Sequence, residues 1–173
     1  MRLENLLALD VRISARMKVA EKPGPLRTVA AFLAHSGDSW FCLLGMAAIW
    51  WFGSGSWKWR AMILIGATLV TAVLVLGLKF AVRRPRPAGE WGDIYRSTDP
   101  HSFPSGHATR AFMLAAMSIG LGPAWFAVAL IIWAPLVALA RVAMGVHYVS
   151  DVLAGLGFGV LMGGIMQLVL LQL

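Results

Sequence analysis

The stretch AFMLAAMSIGLGPAWFAVALIIWAPLVALARVAMGVHYVSDVLAGLGFGVLMGGIMQLVLLQL, residues 111–173, holds only two formal charges, Arg141 and Asp151. One crossing of a bilayer needs roughly 20 apolar residues, so this run predicts several consecutive membrane helices. Gly122-Pro123 marks a tight hairpin, Ala124 to Ala140 a span with a kink at Pro135, and Tyr148 to Leu170 the last span. Gly155, Gly159 and Gly163 recur at four-residue spacing. They predict one smooth stripe for close helix packing, inside the molecule rather than between copies.

The rest of the chain agrees. Of its 173 residues 59% are hydrophobic and 13% charged, with a mean hydropathy of +0.74, a net charge of +7 and a pI near 10.5. A soluble domain carries about 25% charged residues, so the composition predicts an integral membrane protein. The low charge fraction and eight Trp exclude disorder, and the single Cys42 excludes a disulfide scaffold. Nucleic-acid binding is excluded because the cations sit at helix ends beside spans, without a soluble basic face. The fold class expected is an all-α membrane helical bundle with an N-terminal amphipathic interfacial helix and about five membrane helices.

Residues 1–22 form that interfacial helix, with Leu3, Leu6, Leu9, Ile13, Met17 and Ala20 on one face and Asn5, Arg12 and Arg16 on the other. Asp10 falls on the apolar side, which calls for a helix partner or an active-site Arg. Residues 23–173 make one membrane-embedded domain. Pro23-Gly24-Pro25 ends the first helix, Leu26 to Ala34 is a second short one, and Ser36-Gly37-Asp38-Ser39 reads as a break followed by an N-cap. Trp40 to Phe52 is apolar but short. Trp50, Trp51, Trp57 and Trp59 suit an aromatic belt. Ala61 to Leu78 is a span ending at Lys79, followed by a long polar segment from Ala81 to Pro104 and a helix from Ser105 to Gly120.

Three polar clusters remain, in loops 79–107 and 141–151: Lys79 with Arg86-Pro87, Pro104-Ser105-Gly106-His107, and Arg141 with His147 and Asp151. An even number of crossings separates them, so all three reach one membrane face. Lys79, Arg86 and Arg141 invite an exogenous anion, since Arg forks match phosphate oxygens and Lys adds a point charge. The Ser105-Gly106 turn opens a helix whose free N–H groups favour an anion. His147 and Asp151 stand one helical turn apart, so the carboxylate can hold one imidazole nitrogen and leave the other to attack. These are the parts of phosphoryl transfer by a histidine nucleophile.

In these motifs the chain resembles the type 2 phosphatidic acid phosphatase and vanadium haloperoxidase superfamily, in its membrane lipid phosphatase branch. The family pattern of Lys, six residues, Arg-Pro is met by Lys79 and Arg86-Pro87. Pro-Ser-Gly-His is met at 104–107, and Arg, five residues, His, three residues, Asp at Arg141, His147 and Asp151. Ala140 departs from the pattern, which usually has Ser before the Arg. The resemblance implies that Lys79, Arg86, Ser105, Gly106 and Arg141 hold a phosphate, with His147 as nucleophile, Asp151 orienting it and His107 as general acid and base. It implies no cofactor and no metal.

The substrate expected is a phosphate or diphosphate monoester of a lipid, of phosphatidate, phosphatidylglycerophosphate or polyprenyl diphosphate type. A lipid phosphotransferase using the same intermediate and a non-catalytic lipid-binding or transport module are the alternatives. Partners are the lipid phosphate and membrane lipids, and the family habit is a cell-membrane site facing away from the cytoplasm. Arg110 is placed near the His107 face with a phosphate, supporting or snorkelling role. Arg83, Arg84, Arg96 and His101 are assigned no role beyond contact with a head group or anionic lipid.

Overall fold

A computed structural model describes residues 3–172. The chain runs α1 (Leu3–Met17), α2 (Pro25–Ser36), α3 (Ser39–Phe52), α4 (Gly55–Val82), α5 (Glu90–Arg96), α6 (Gly106–Leu121), α7 (Ala124–Ala143) and α8 (Val149–Leu170). Among the described residues no strand forms beyond a single bridge between Pro85 and His101.

α6 is the central helix, packed on α8, α7 and α4, while α3 lies on α4 and α2 on α7. Its inward surface is small or flexible, with Ala108, Ala111, Met113, Ala115 and Met117 all buried. Met113 and Met117 join Met46, Leu64, Ala67, Leu114 and Met162 in the main apolar cluster. The glycine stripe of α8 meets α6 within the molecule, as its spacing predicts. A Cβ at Gly155 would come 3.0 Å from that of Ala108, and one at Gly163 2.7 Å from that of Ala116.

The outward faces are apolar instead of polar. Val73, Leu76, Ile132 and Leu161 are each about half exposed or more. Leaving such side chains in water costs about 1.5–3 kcal/mol each, so these faces belong against lipid tails. α4, α7 and α8 are long and apolar enough to cross a membrane. At 14 residues, α3 extends about 21 Å, short of the roughly 30 Å hydrocarbon core.

Several elements differ from the sequence expectation. α4 runs six residues further back than Ala61, through the Trp-rich segment, and Trp57 stacks edge-on against Phe126. The polar segment after α4 carries a helix of its own, α5. α7 includes Pro135, which removes one backbone donor, and runs three residues past the expected Ala140 to Ala143. α1 turns Leu6, Leu9 and Ile13 outward and buries Ser14. Asp10 and Ser14, one turn apart, accept the first backbone N–H groups of α8, from Ser150 (3.0 Å) and Val149 (2.9 Å). The amphipathic helix thus caps a membrane helix while Leu6, Leu7 and Leu9 stay exposed. The inter-helix partner expected for Asp10 is found on α8, and its carboxylate also pairs at 2.7 Å with Arg84, which is not one of the arginines singled out for the site.

Candidate active site

The polar interior is concentrated at one end of the bundle, where α4 and α7 finish and α6 and α8 begin. Lys79, in the last turn of α4, is buried and donates to the Asp99 carboxylate at 2.5 Å and to the His101 carbonyl at 2.8 Å. Arg83 ends that helix in the left-handed region, at φ 53°, and the chain turns back across the bundle. Arg86 is then buried as well. Its Nε donates to the Asp99 carbonyl (2.6 Å), Nη2 to the Asp99 carboxylate (2.7 Å) and Nη1 to the Val146 carbonyl (2.9 Å). Nη1 also lies 3.3 Å from His147 Nε2.

Arg141, in the last turn of α7, is 0% exposed. Its Nη1 donates to the Tyr95 hydroxyl at 3.1 Å, and the guanidinium lies 4.6 Å from the Tyr95 ring centre. Nε and Nη2 of Arg141 have no partner among the described residues. A buried cation without an anion is costly, so this guanidinium is poised for a ligand.

Gly145, at φ 70°, turns the chain from α7 towards α8. His147 therefore precedes α8, and the one-turn relation to Asp151 arises differently from the helical stripe expected. Asp151 is the third residue of α8 and folds back to accept the Tyr148 N–H at 2.9 Å, a capping contact that brings it beneath His147. Asp151 Oδ2 stands 3.5 Å from His147 Nδ1, looser than a hydrogen bond, and His147 Nδ1 is otherwise unpartnered. Asp151 Oδ1 accepts from Arg84 at 2.6 Å. Burial, followed by the charges of Arg86, Arg141 and Lys79, pushes the His147 imidazole well below its ordinary value. The ring is neutral at physiological pH and keeps a lone pair.

Ser105 is fully buried and caps α6: its Oγ accepts the Ala108 N–H at 3.5 Å and its N–H donates to the Asp151 carbonyl at 3.0 Å. Gly106 and His107 line a cavity of about 250 Å³ that also takes in Lys79 and Asp99 and runs along α4 past Val75 and Thr71 to Thr68. His107 Nε2 lies 2.5 Å from the Asp38 carboxylate.

All eight residues singled out in the sequence thus meet at one end of the bundle. Other participants were not assigned a place from sequence. Asp99 occupies the gap between Lys79 and Arg86, Tyr95 underlies Arg141, and Arg84 links Asp10 to Asp151. Their signals were faint, since Asp99 and Tyr95 lie in a polar loop and Arg84 in a basic run. Arg110 neither joins Lys79, Arg86 and Arg141 nor snorkels; buried, it donates to the Gly37 carbonyl and the Ser39 hydroxyl. Ala140 packs with Ala20, Ala30, Ala34, Met144 and Val146, so a methyl group suits the surface that α7 offers α2.

The PAP2 superfamily profile matches residues 60–172, which contain all three motif blocks. The chain belongs to the PAP2 superfamily. Among its relatives, the decaprenylphosphoryl-5-phosphoribose phosphatase of Mycobacterium tuberculosis H37Rv is 31% identical over 168 residues, covering 91% of this chain and 87% of that protein. The lipid A 1-phosphatase of Rhizobium etli is 32% identical over 178 residues, covering 90% and 76%. Among solved structures, the transmembrane PAP2 type phosphatidylglycerolphosphate phosphatase of Bacillus subtilis superposes with a TM-score of 0.75 at 25% identity, over 94% of this chain and 85% of that one. Aquifex aeolicus LpxE gives 0.71 at 25% identity, over 92% and 94%. This PAP2 protein is an integral membrane phosphoric monoester hydrolase.

Proposed function

We propose that this PAP2 protein is a lipid phosphatase that removes a terminal phosphate through a phosphohistidine on His147. The observation that carries the reading is Arg141, wholly buried with two unpaired guanidinium nitrogens beside a neutral histidine. Together with Lys79 and Arg86 it supplies fixed positive charge where an incoming phosphate's oxygens develop charge. The N–H groups that open α6 at Gly106 add the positive end of a helix, and Ser105 keeps that end in place.

In the first step the His147 lone pair attacks phosphorus as the bond to the lipid oxygen breaks, and that oxygen takes the proton of His107. In the second, water gives a proton to His107, attacks phosphorus and breaks the N–P bond, leaving inorganic phosphate and neutral His147. Asp151 holds the ring and offsets the charge it gains. The cavity along α4 opens among helices whose outer faces meet lipid. It supports a substrate whose head lies at the clamp and whose tail lies along Val75 and Leu76.

The substrate class is a lipid monophosphate or diphosphate ester, in keeping with the phosphorylated lipids named for the relatives. The membrane is the cell membrane, with the site facing away from the cytoplasm. Phosphate release from phosphatidate, phosphatidylglycerophosphate and a polyprenyl diphosphate in detergent tests the activity. Release from at least one by wild type and from none by His147→Ala is expected; equal release by both overturns the reading. A Thr98→Cys variant in the head-group loop, treated in intact cells with an impermeant thiol reagent, tests sidedness. Protection of that thiol would place the site on the cytoplasmic face.

A further inference from the structure

The turn between α2 and α3 lies outside the residues matched by the family profile, yet it reaches the reaction centre. Asp38 occupies the N-cap position of α3 but makes no capping bond with its side chain. An Asp serving only its own helix would accept one of the first N–H groups. Asp38 spends both oxygens on imidazoles instead: Oδ1 lies 2.5 Å from His107 Nε2 and Oδ2 3.0 Å from His35 Nδ1. The two histidine bonds outweigh burial and hold its carboxyl well below the usual carboxylate range, so it is ionised and each imidazole nitrogen facing it is a donor.

The turn is seated firmly. Arg110, three residues after His107 on α6, donates from Nε (3.0 Å) and Nη2 (2.5 Å) to the Gly37 carbonyl and from Nη1 (2.6 Å) to Ser39 Oγ. From α7, Trp133 donates to Ser36 Oγ at 2.8 Å. A Cβ on Gly37 would meet Val137 Cγ1 at 2.7 Å, so any larger residue there would have to push the buried Val137 aside. The same helix that carries His107 therefore holds the turn that carries its carboxylate partner.

We propose that Asp38 is the positioning residue for His107, with Arg110 as the clasp that keeps the α2–α3 turn against α6. The carboxylate fixes the Nε2–H tautomer and ring orientation, so that Nδ1, which has no partner among the described residues, is the nitrogen turned to the substrate. Burial and then the Arg141 charge push the His107 imidazole well below its ordinary value; the Asp38 carboxylate opposes both and so favours the imidazolium that gives a proton to the leaving oxygen. His35, half exposed at the surface, holds the other oxygen and sets the carboxylate's angle. This rests on the reading of His107 as the general acid.

The test compares kcat/KM, which reports the step in which the leaving group departs, for octyl phosphate and p-nitrophenyl phosphate. An alkoxide needs a proton to leave, and p-nitrophenolate does not. Asp38→Asn is expected to lose about 10²-fold on octyl phosphate and less than about threefold on p-nitrophenyl phosphate. Arg110→Gln should show the same selectivity with a smaller loss, and it decides the matter if Asp38→Asn does not fold. Equal losses on both substrates, or none on octyl phosphate, overturn the proposal. His107→Ala separates the two levels. If its loss falls equally on both substrates, the acid role of His107 is wrong; if its loss is selective and that of Asp38→Asn is not, only the role of Asp38 is wrong.

Discussion

Asp99 fills the proposed phosphate clamp with the protein's own carboxylate, and replacing it with Asn should tighten anion binding. Its Oδ2 lies 2.5 Å from Lys79 Nζ and 2.7 Å from Arg86 Nη2, so an incoming phosphate must displace two charge-assisted hydrogen bonds. Such bonds contribute about 1.5–3 kcal/mol each. The Asp99 side chain is 40% exposed, and water recovers part of that energy once the carboxylate swings out. Halving the sum for this gives about 1.5–3 kcal/mol, and at 1.4 kcal/mol per decade Asp99→Asn should lower the Ki of inorganic phosphate and orthovanadate about 10- to 100-fold. KM should fall in the same direction, while kcat, which depends on the occupied clamp, should change less than about threefold. The assay is phosphate release from a short-chain lipid phosphate in detergent, at low salt and again near 0.15 M, where the gain should shrink with screening. An unchanged or higher Ki in the variant would refute the reasoning, because Asp99 would then be supporting the clamp and not competing for it.

Arg141→Met should lower kcat/KM by at least about 10³-fold, yet leave the substrate-free protein equally or more resistant to thermal unfolding, because an unpaired buried charge is removed; a large loss of stability would contradict the unpaired state of Nε and Nη2. For His147 the sign follows from its lowered folded value: the native ring is neutral, so its contribution to stability is present above the unfolded value of about 6.5 and is lost as pH falls below it. The acid limb of kcat/KM assigned to His147, after correction for the substrate's own titration, should accordingly lie below 6.5, and a limb at or above that value would sink the assignment. Gly159→Leu should destabilise the bundle by at least about 1–3 kcal/mol by overpacking, since even a Cβ there would come within 3.0 Å of Met113 N and 3.1 Å of Phe112 Cβ. Unfolding in detergent measures it, and unchanged stability would mean that the stripe is not the α6–α8 contact.

Apolar runs and their punctuation were legible because a bilayer imposes its solvent on each helix separately. Every span must be apolar over its own length and must satisfy its own backbone bonds, so α4, α7 and α8 could be read one at a time. The three motif blocks were legible for a related reason. Each places a charge or a histidine at a helix end, and counting crossings is enough to bring such ends to one face. The short helices α2 and α3 and the helix within the polar loop were harder, because none of them spans and each depends on neighbours for its partner surface.

What the sequence by itself determined is the membrane class and the place of the three motif blocks at helix ends, since these follow from composition, local periodicity and spacing; the roles expected of their residues rest on the family resemblance. Only the tertiary structure decided which anion sits between Lys79 and Arg86, which carboxylate holds His107 and what the amphipathic helix is for. Asp99, Asp38 and Asp10 each look in sequence like an ordinary loop, cap or helix-surface acid. Their partners Lys79, His107 and Ser150 lie 20, 69 and 140 residues away along the chain. A charge at such a separation is paired only by the way the helices pack, because burial leaves it no water to turn to and the fold determines which opposite group is within reach.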